Sequence, residues 1–151
     1  MTSLDTKFFY AINELAGRSE FWDGIFVFFA EYAVWIFGAV LIVYLFVNRR
    51  VFWIGLASVV LSRMILTELI RYLYPRDRPF LSLQQVKQLI EKNAAEPSFP
   101  SGSTAILFSI AFSAYLFDKK MGVILMIAAL IFSFARIYVG VHYSSDILGG
   151  I

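Results

Sequence analysis

The sequence of 151 residues contains no cysteine. This excludes disulfide bonds, thiolate catalysis and any metal site built from cysteine side chains. Charge is also scarce, because 13 basic and 11 acidic residues leave a net charge of only +2. That balance does not indicate a nucleic-acid-binding protein. The chain has a single histidine, His142, so any imidazole chemistry must use this residue.

Apolar residues are in large excess. They make up 60% of the chain, including 16 Phe, 8 Tyr and 3 Trp, against about 45–50% in an ordinary soluble domain. Several apolar runs approach or exceed the roughly 20 residues that a helix needs to span a bilayer. The sequence therefore predicts an all-α, polytopic transmembrane helical bundle, formed as a single membrane-embedded domain over residues 1–151.

The hydrophobic pattern predicts the elements of this bundle. Leu4, Phe8 and Ile12 share one stripe of a short helix that we expect to lie at the membrane interface. The apolar spans are predicted over residues 21–47, 51–74, 101–117 and 121–139, with a last span that starts near residue 143 and is incomplete at residue 151. A short amphipathic helix is predicted over residues 83–93, within the polar segment 75–100.

Basic residues in short loops predict the orientation. The pairs Arg49–Arg50 and Lys119–Lys120 fall on the same side of the membrane by the parity of crossings, which makes that side cytoplasmic. The polar segment 75–100 and the stretch 136–146 then lie on the opposite face. We therefore expect a multi-pass protein of the cell membrane with its active site on the outer face.

The histidine lies in the pattern Arg136-x5-His142-x3-Asp146. In a helix, His142 and Asp146 would be one turn apart. The carboxylate could then hold one imidazole nitrogen and leave the other free to attack or to ligate. Arg136 offers a planar charged fork for phosphate oxygens. The alternative interpretation is a lone histidine near a helix end, satisfied by local polar groups.

Two further segments share this face. Arg71-x6-Arg78-Pro79 stands where the second span leaves the membrane, and Ser-Phe-Pro-Ser-Gly-Ser over 98–103 opens the third span. Ser101 is a candidate N-cap, and a helix N-terminus with small residues favours anions. Taken singly, such arginines usually extend to headgroups, and such a serine usually only caps a helix. Together the three segments predict a pocket for a tetrahedral oxyanion facing a nucleophile.

Charges inside the predicted spans form a second group of candidates. Glu31 either pairs with an active-site arginine, lines a lipid access path or lies solvated at the interface. Arg63 is expected to pair with Glu68, and Glu68 with Arg71 at i, i+3 spacing. The tyrosines at the outer ends of the spans are expected to be interfacial anchors; they are Tyr72, Tyr74, Tyr138 and Tyr143.

The three segments resemble the signature of the type 2 phosphatidic acid phosphatase superfamily: Lys-x6-Arg-Pro, then Pro-Ser-Gly-His, then Ser-Arg-x5-His-x3-Asp. The resemblance runs from about residue 20 to the end. The small size and the Glu31–Tyr32 pair look most similar to the bacterial undecaprenyl-diphosphate phosphatases. The resemblance implies a cell-envelope hydrolase that uses no cofactor and no metal. Its substrate would be a membrane lipid phosphate, with undecaprenyl diphosphate favoured over phosphatidate, phosphatidylglycerol phosphate and diacylglycerol diphosphate.

The resemblance also implies roles for individual residues. His142 would be the nucleophile that forms a phosphohistidine, and Asp146 would orient it. The phosphate would be bound by Arg71, Arg78, Ser101, Gly102 and Arg136.

The sequence departs from the family pattern at three positions. Arg71 replaces a lysine and Ala135 replaces a serine. Ser103 stands where the family has the histidine that protonates the leaving oxygen. A serine hydroxyl cannot serve as that acid, and losing a general acid costs about 10²–10⁴-fold in rate. We therefore expect either a natural degenerate member or an engineered inactive variant, and the otherwise intact site favours the latter.

Two other classes of function remain as alternatives. One is a catalytically inactive lipid-phosphate-binding or transport protein that keeps the arginines. The other is a purely structural membrane bundle. The sequence leaves the oligomeric state open.

Overall fold

The computed structural model describes residues 3–151, and its regular elements are helices. They are α1 Ser3–Asn13, α2 Glu20–Val47, α3 Arg49–Val59, a π-helical segment Val60–Leu66, α4 Thr67–Leu73, α5 Pro79–Ser82, α6 Gly102–Tyr115, α7 Lys119–Tyr138 and α8 Ser144–Leu148. Within residues 3–151 there is no β-strand. The predicted all-α membrane bundle is confirmed.

Among the described residues, three helices are long and apolar enough to cross a membrane: Glu20–Val47, Arg49–Leu73 and Lys119–Tyr138. The shorter helix α6 packs against all three, and most of its side chains are buried. The side chains on the outside of the bundle are exposed and apolar, among them Trp35 and Phe46. The structure therefore places α6 in the middle of the bundle and a lipid-compatible surface around it.

Close helix contacts depend on small residues. A Cβ built on Gly122 of α7 would lie 2.3 Å from Cα of Tyr115 in α6, closer than atoms can approach. Lipid tails are as apolar as side chains, so association inside a membrane relies on tight packing, which small residues permit. Gly122 therefore sets the distance between α6 and α7, the two helices that carry Ser103 and Arg136.

The second long helix is interrupted by one widened turn. Over Val60–Leu66 the backbone follows a π-helix, and the Thr67 hydroxyl donates to the carbonyl oxygen of Ser62 at 2.8 Å. Such π-helical turns change the direction of the side chains that follow, and they are frequent at functional sites. Here the turn contains Arg63, whose ion pair with Glu68 confirms the sequence prediction.

The predicted helix over 83–93 is wrong. Gln85 has a left-handed φ of 55°, and the backbone of this segment bonds to other elements instead of to itself. The N–H of Lys87 donates to Oδ1 of Asn13 at 2.9 Å, and the N–H of Leu89 donates to the carbonyl oxygen of Val139 at 3.1 Å. The apolar periodicity of the segment reflects its docking on α1 and on the end of α7.

The prediction of interfacial tyrosines is wrong for two of the four residues. Tyr72 and Tyr74 are exposed, but Tyr138 and Tyr143 are buried. The Tyr138 hydroxyl donates to Oδ1 of Asp23 at 2.8 Å. These side chains are buried because α1 and the segment 83–97 cover the polar end of the bundle.

Candidate active site

A cavity of about 130 Å³ lies at this covered end. It is lined by Arg63, Arg71, Arg78, Lys92, Glu96, Gly102, Ser103, Arg136 and His142. Five cationic side chains therefore face a single carboxylate. Such an excess of positive charge in a confined space attracts anions. Three of the cationic side chains belong to the arginines that the sequence motifs predicted.

The His142–Asp146 pair forms as the spacing predicted, although α8 begins only at Ser144. Nδ1 of His142 lies 3.3 Å from Oδ2 of Asp146, and both side chains are buried. The same carboxylate oxygen accepts the N–H of Tyr143 at 2.8 Å, so Asp146 folds back over the start of α8. Because Asp146 accepts a hydrogen bond, we assign the proton to Nδ1, which leaves a lone pair on Nε2.

The environment keeps this imidazole neutral. Burial, together with the charges of Arg136 and Arg78, lowers the pKa of His142 from its ordinary value of 6.5 to about 4, and Asp146 only partly opposes this shift. Nε2 lies 3.5 Å from Nη1 of Arg78, at the edge of the cavity. An unprotonated Nε2 next to cationic side chains is suited to attack an anionic phosphorus centre.

The motif arginines are buried and fixed by backbone carbonyls. Arg136 donates to Ala30 at 2.7 Å, Arg71 to Pro100 at 3.3 Å and Arg78 to Val141 at 3.2 Å. Within the described chain, Nε of Arg71 and Nε of Arg136 are buried without a hydrogen-bond partner. Buried donors are normally satisfied, so these guanidinium groups have N–H capacity that an oxyanion can use.

The three residues of the Ser-Gly-Ser motif at the start of α6 have two different roles. Ser101 is the N-cap, and its hydroxyl accepts the N–H of Thr104 at 3.4 Å and the Thr104 hydroxyl at 3.0 Å. Its side chain does not line the cavity, whereas Gly102 and Ser103 do. The structure therefore gives the Ser101 hydroxyl a capping role. It brings Gly102 and Ser103 to the cation-lined cavity.

Glu31 is not brought into the cavity. It is exposed on α2, and in the described part of the chain it forms no ion pair with an arginine. Its charge raises the pKa of Lys92, but burial and the charges of Arg136 and Arg78 outweigh this effect and lower it. Glu31 therefore acts on the cavity only at a distance.

Residues that the sequence motifs did not single out support the histidine pair. Nη1 of Arg76 lies 2.9 Å from Oδ1 of Asp146, and Nη2 lies 2.6 Å from Oδ2 of Asp5 in α1. Burial opposes the ionisation of Asp5, but hydrogen bonds from Arg76 and Ser145 outweigh it and lower the pKa of this carboxyl. Arg76 could have been suspected from its position two residues before Arg78. Asp5 is far from all three motifs in the sequence, so nothing in the sequence indicated its role.

These features define a helical membrane protein with a buried, cation-lined cavity, an arrangement that suits an integral membrane phosphatase. A sequence model of the PAP2 superfamily matches residues 52–151. The chain belongs to this superfamily of phosphatases.

Individual relatives agree with this assignment. Undecaprenyl-diphosphatase BcrC of Bacillus subtilis is 32% identical over 153 residues, which cover 98% of this chain and 77% of that protein. The bacitracin transport permease protein BcrC of Bacillus licheniformis is 31% identical, with 99% and 74% covered. The crystal structure of Aquifex aeolicus LpxE superposes with a TM-score of 0.84 at 27% identity, covering 99% of this chain and 88% of that one.

Proposed function

We propose that this protein hydrolyses a membrane lipid phosphate or diphosphate through a phosphohistidine intermediate, with undecaprenyl diphosphate as the favoured substrate. The observation that carries the proposal is the neutral His142, oriented by Asp146, with Nε2 beside Arg78 in a cationic cavity. The similarity to a protein named undecaprenyl-diphosphatase supports the choice of lipid.

The chemistry proceeds in two displacements. Arg71, Arg78 and Arg136, with the backbone N–H of Gly102, hold the phosphate oxygens and stabilise the charge that develops on them. Nε2 of His142 attacks the phosphorus, the bond to the leaving oxygen breaks, and Asp146 stabilises the imidazolium that forms. Water then hydrolyses the phosphohistidine. Each step uses side chains and water, so the reaction needs no metal ion.

Ser103 limits the first displacement. It lines the cavity at the position where the family pattern has a general-acid histidine. Its hydroxyl has no proton to give near neutral pH, so a leaving group that must be protonated departs about 10²–10⁴-fold more slowly. We therefore infer a lowered rate for substrates whose leaving group must be protonated, with the phosphate-binding arrangement intact.

The arrangement of the helices supports a site on the outer face. The basic pairs at residues 49–50 and 119–120 stand where α3 and α7 begin, whereas Arg71 and Arg136 lie near the opposite ends of the same two spans. Positive charge favours the cytoplasmic side. The cavity then opens at the outer surface of the cell membrane, where a lipid phosphate of the outer leaflet reaches it.

The proposal is tested by phosphate release from undecaprenyl diphosphate in detergent. We expect release by the chain, at most a modest increase by Ser103→His and no release by His142→Ala, with EDTA leaving the rates unchanged. The phosphohistidine, detected as acid-labile phosphate bound to the protein, should form only when His142 is present. A correctly folded protein that releases no phosphate, with either residue at position 103, contradicts the proposal.

A second candidate is a lipid-phosphate-binding or transport protein. Ser103 favours it, as does the similarity to a protein named as a bacitracin transport permease. Equilibrium binding of undecaprenyl diphosphate separates the classes. Tight binding without release, even by Ser103→His, would favour the binding protein, and no binding at all would favour a structural bundle.

A further inference from the structure

Arg63 lines the cavity beside Gly102, the residue that precedes Ser103. A Cβ built on Gly102 would be 2.6 Å from Nε of Arg63, so this guanidinium packs directly on the first residue of α6. Arg63 belongs to the π-helical segment Val60–Leu66. The family resemblance assigns Arg63 no role, and its position next to Ser103 therefore needs a separate explanation.

The cation beside His142 is Arg78. Nη1 of Arg78 is 3.5 Å from Nε2 of His142, and Arg136 and Arg78 are the cations that act on the pKa of the histidine. In phosphoryl transfer the attacking and leaving atoms are roughly in line through phosphorus. With Arg78 beside the attacking Nε2, Arg63 is a cavity cation next to Gly102 that remains for the leaving group.

The side chain of Arg63 is held in place but has donors to spare. Nη1 pairs with Glu68, and Glu68 also contacts Nη1 of Arg71 at 3.4 Å. This leaves Nε and Nη2 of Arg63 for an anion. Because the Glu68 side chain is 52% exposed, its negative charge is screened by solvent more than that of a buried carboxylate.

The two classes of lipid phosphate differ in what their leaving group needs. A phosphate monoester releases an alcohol, whose pKa is close to that of water and far above neutral pH, so its oxygen must be protonated as it departs. A diphosphate releases a phosphate monoester, whose second pKa is about 6. That group leaves as an anion near neutral pH without receiving a proton. It needs a cation beside it instead.

We propose that the pair Ser103 and Arg63 makes this site selective for lipid diphosphates over lipid phosphate monoesters, with Arg63 binding the phosphate that leaves. The inference rests on the proposed function and narrows its substrate class. It explains an intact phosphate-binding site without a general acid, since the substrate supplies a leaving group that requires none.

The step balances without an acid. Nε2 of His142 forms a bond to the terminal phosphorus, and the bond from that phosphorus to the bridging oxygen breaks. The electron pair stays on the bridging oxygen, so the lipid monophosphate departs as an anion against Arg63. Water then attacks the phosphohistidine and the N–P bond breaks. The water proton passes to the released phosphate, whose second pKa is also near neutrality.

The test compares diacylglycerol diphosphate with phosphatidate, which have the same tails and differ only in the leaving group. Turnover is measured in detergent for the chain, Ser103→His, Arg63→Gln and Ser103→His with Arg63→Gln. We expect Ser103→His to raise phosphatidate hydrolysis about 10²-fold or more and diphosphate hydrolysis by less than tenfold. Arg63→Gln should lower diphosphate hydrolysis about 10²-fold, and in the Ser103→His background it should leave phosphatidate hydrolysis nearly unchanged.

Controls keep the outcomes distinct. Arg50→Gln removes an exposed arginine at the start of α3, far from the cavity end of the span, and should change neither rate. Arg63→Lys should recover part of the diphosphate activity. If Arg63→Gln slows both substrates equally, or Ser103→His accelerates both equally, the inference is overturned and the phosphatase function stands. If no folded variant releases phosphate from either lipid, the function and the inference fail together.

Discussion

Arg76 and His142 contact different carboxylate oxygens of Asp146. Nη1 of Arg76 lies 2.9 Å from Oδ1 of Asp146, while Oδ2 faces the imidazole. The carboxylate is therefore fixed from both sides. Arg76 is in turn anchored by Asp5 at 2.6 Å, so helix α1 contributes to the geometry of the histidine pair.

Replacing Arg76 should impair chemistry more than substrate binding. Without its cation, Asp146 is free to rotate, and His142 loses its orientation and tautomer. Arg76→Gln is expected to lower kcat about 10–100-fold, the usual effect of removing a partner that orients a functional ligand, and to leave KM within a few-fold. Steady-state kinetics on the Ser103→His background would measure both constants.

A conservative variant separates positioning from simple stability. Arg76→Lys keeps a charge beside Asp146 and should regain part of kcat, although it cannot bridge two carboxylates as a guanidinium does. Asp5→Asn should weaken the anchor of Arg76 and give a smaller loss than Arg76→Gln. Equal losses in kcat and in thermal stability for all three variants would argue for a merely structural role.

The histidine should remain neutral down to acidic pH. Its pKa is about 4 in the folded protein, compared with 6.5 for an exposed histidine. The unfolded state thus binds the proton more readily, and folding stability is lost as pH falls from about 6.5 through 4 and is unaffected above that range. Because the chain has one histidine, NMR of ¹⁵N-labelled histidine gives one imidazole to titrate. A midpoint near pH 6.5 would contradict the burial seen here.

Helix packing can be tested at two glycines. Gly122→Ala places a Cβ against the backbone of Tyr115 and should destabilise the bundle by about 1–3 kcal/mol, the usual cost of overpacking. Gly24→Ala is the matched control, because a Cβ there meets nothing within 4 Å and alanine favours the helix by about 0.5–1 kcal/mol. Thermal unfolding in detergent should move in opposite directions for the two variants.

The absence of cysteine makes the orientation easy to measure. A single Cys introduced as Ala94→Cys lies in the exposed loop at the cavity end, and Lys120→Cys lies at the start of α7. In intact cells, a membrane-impermeant maleimide should label the first variant and not the second until the cells are opened. The reverse labelling pattern would place the cavity on the cytoplasmic side.

The sequence predicted those features that depend on local pattern. Apolar runs of sufficient length indicated the long helices, and the spacing of His142 and Asp146 predicted a pair that the fold does form. The position of Arg63 inside a span predicted its ion pair with Glu68, and the i, i+3 spacing predicted the ion pair of Glu68 with Arg71. All of these predictions rest on residues that are close together in the sequence.

Other features depend on tertiary contacts that no local pattern contains. The segment 83–93 has helical periodicity, yet its backbone is bound by Asn13 and by the end of α7. The π-helical segment that contains Arg63 has no counterpart in the local sequence pattern. Asp5 reaches Arg76 across 71 positions of the chain, a contact that only folding could reveal.

The Asn13 side chain joins three parts of the molecule. Its amide nitrogen donates to the carbonyl oxygens of Lys87 and Tyr138, both at 2.9 Å, and its oxygen accepts the N–H of Lys87. Local opening of α1 would therefore release the loop and the end of α7 as well. The polar end of the bundle should open and close as one cooperative unit, so that hydrogen exchange there reports a single opening free energy for segments far apart in the chain.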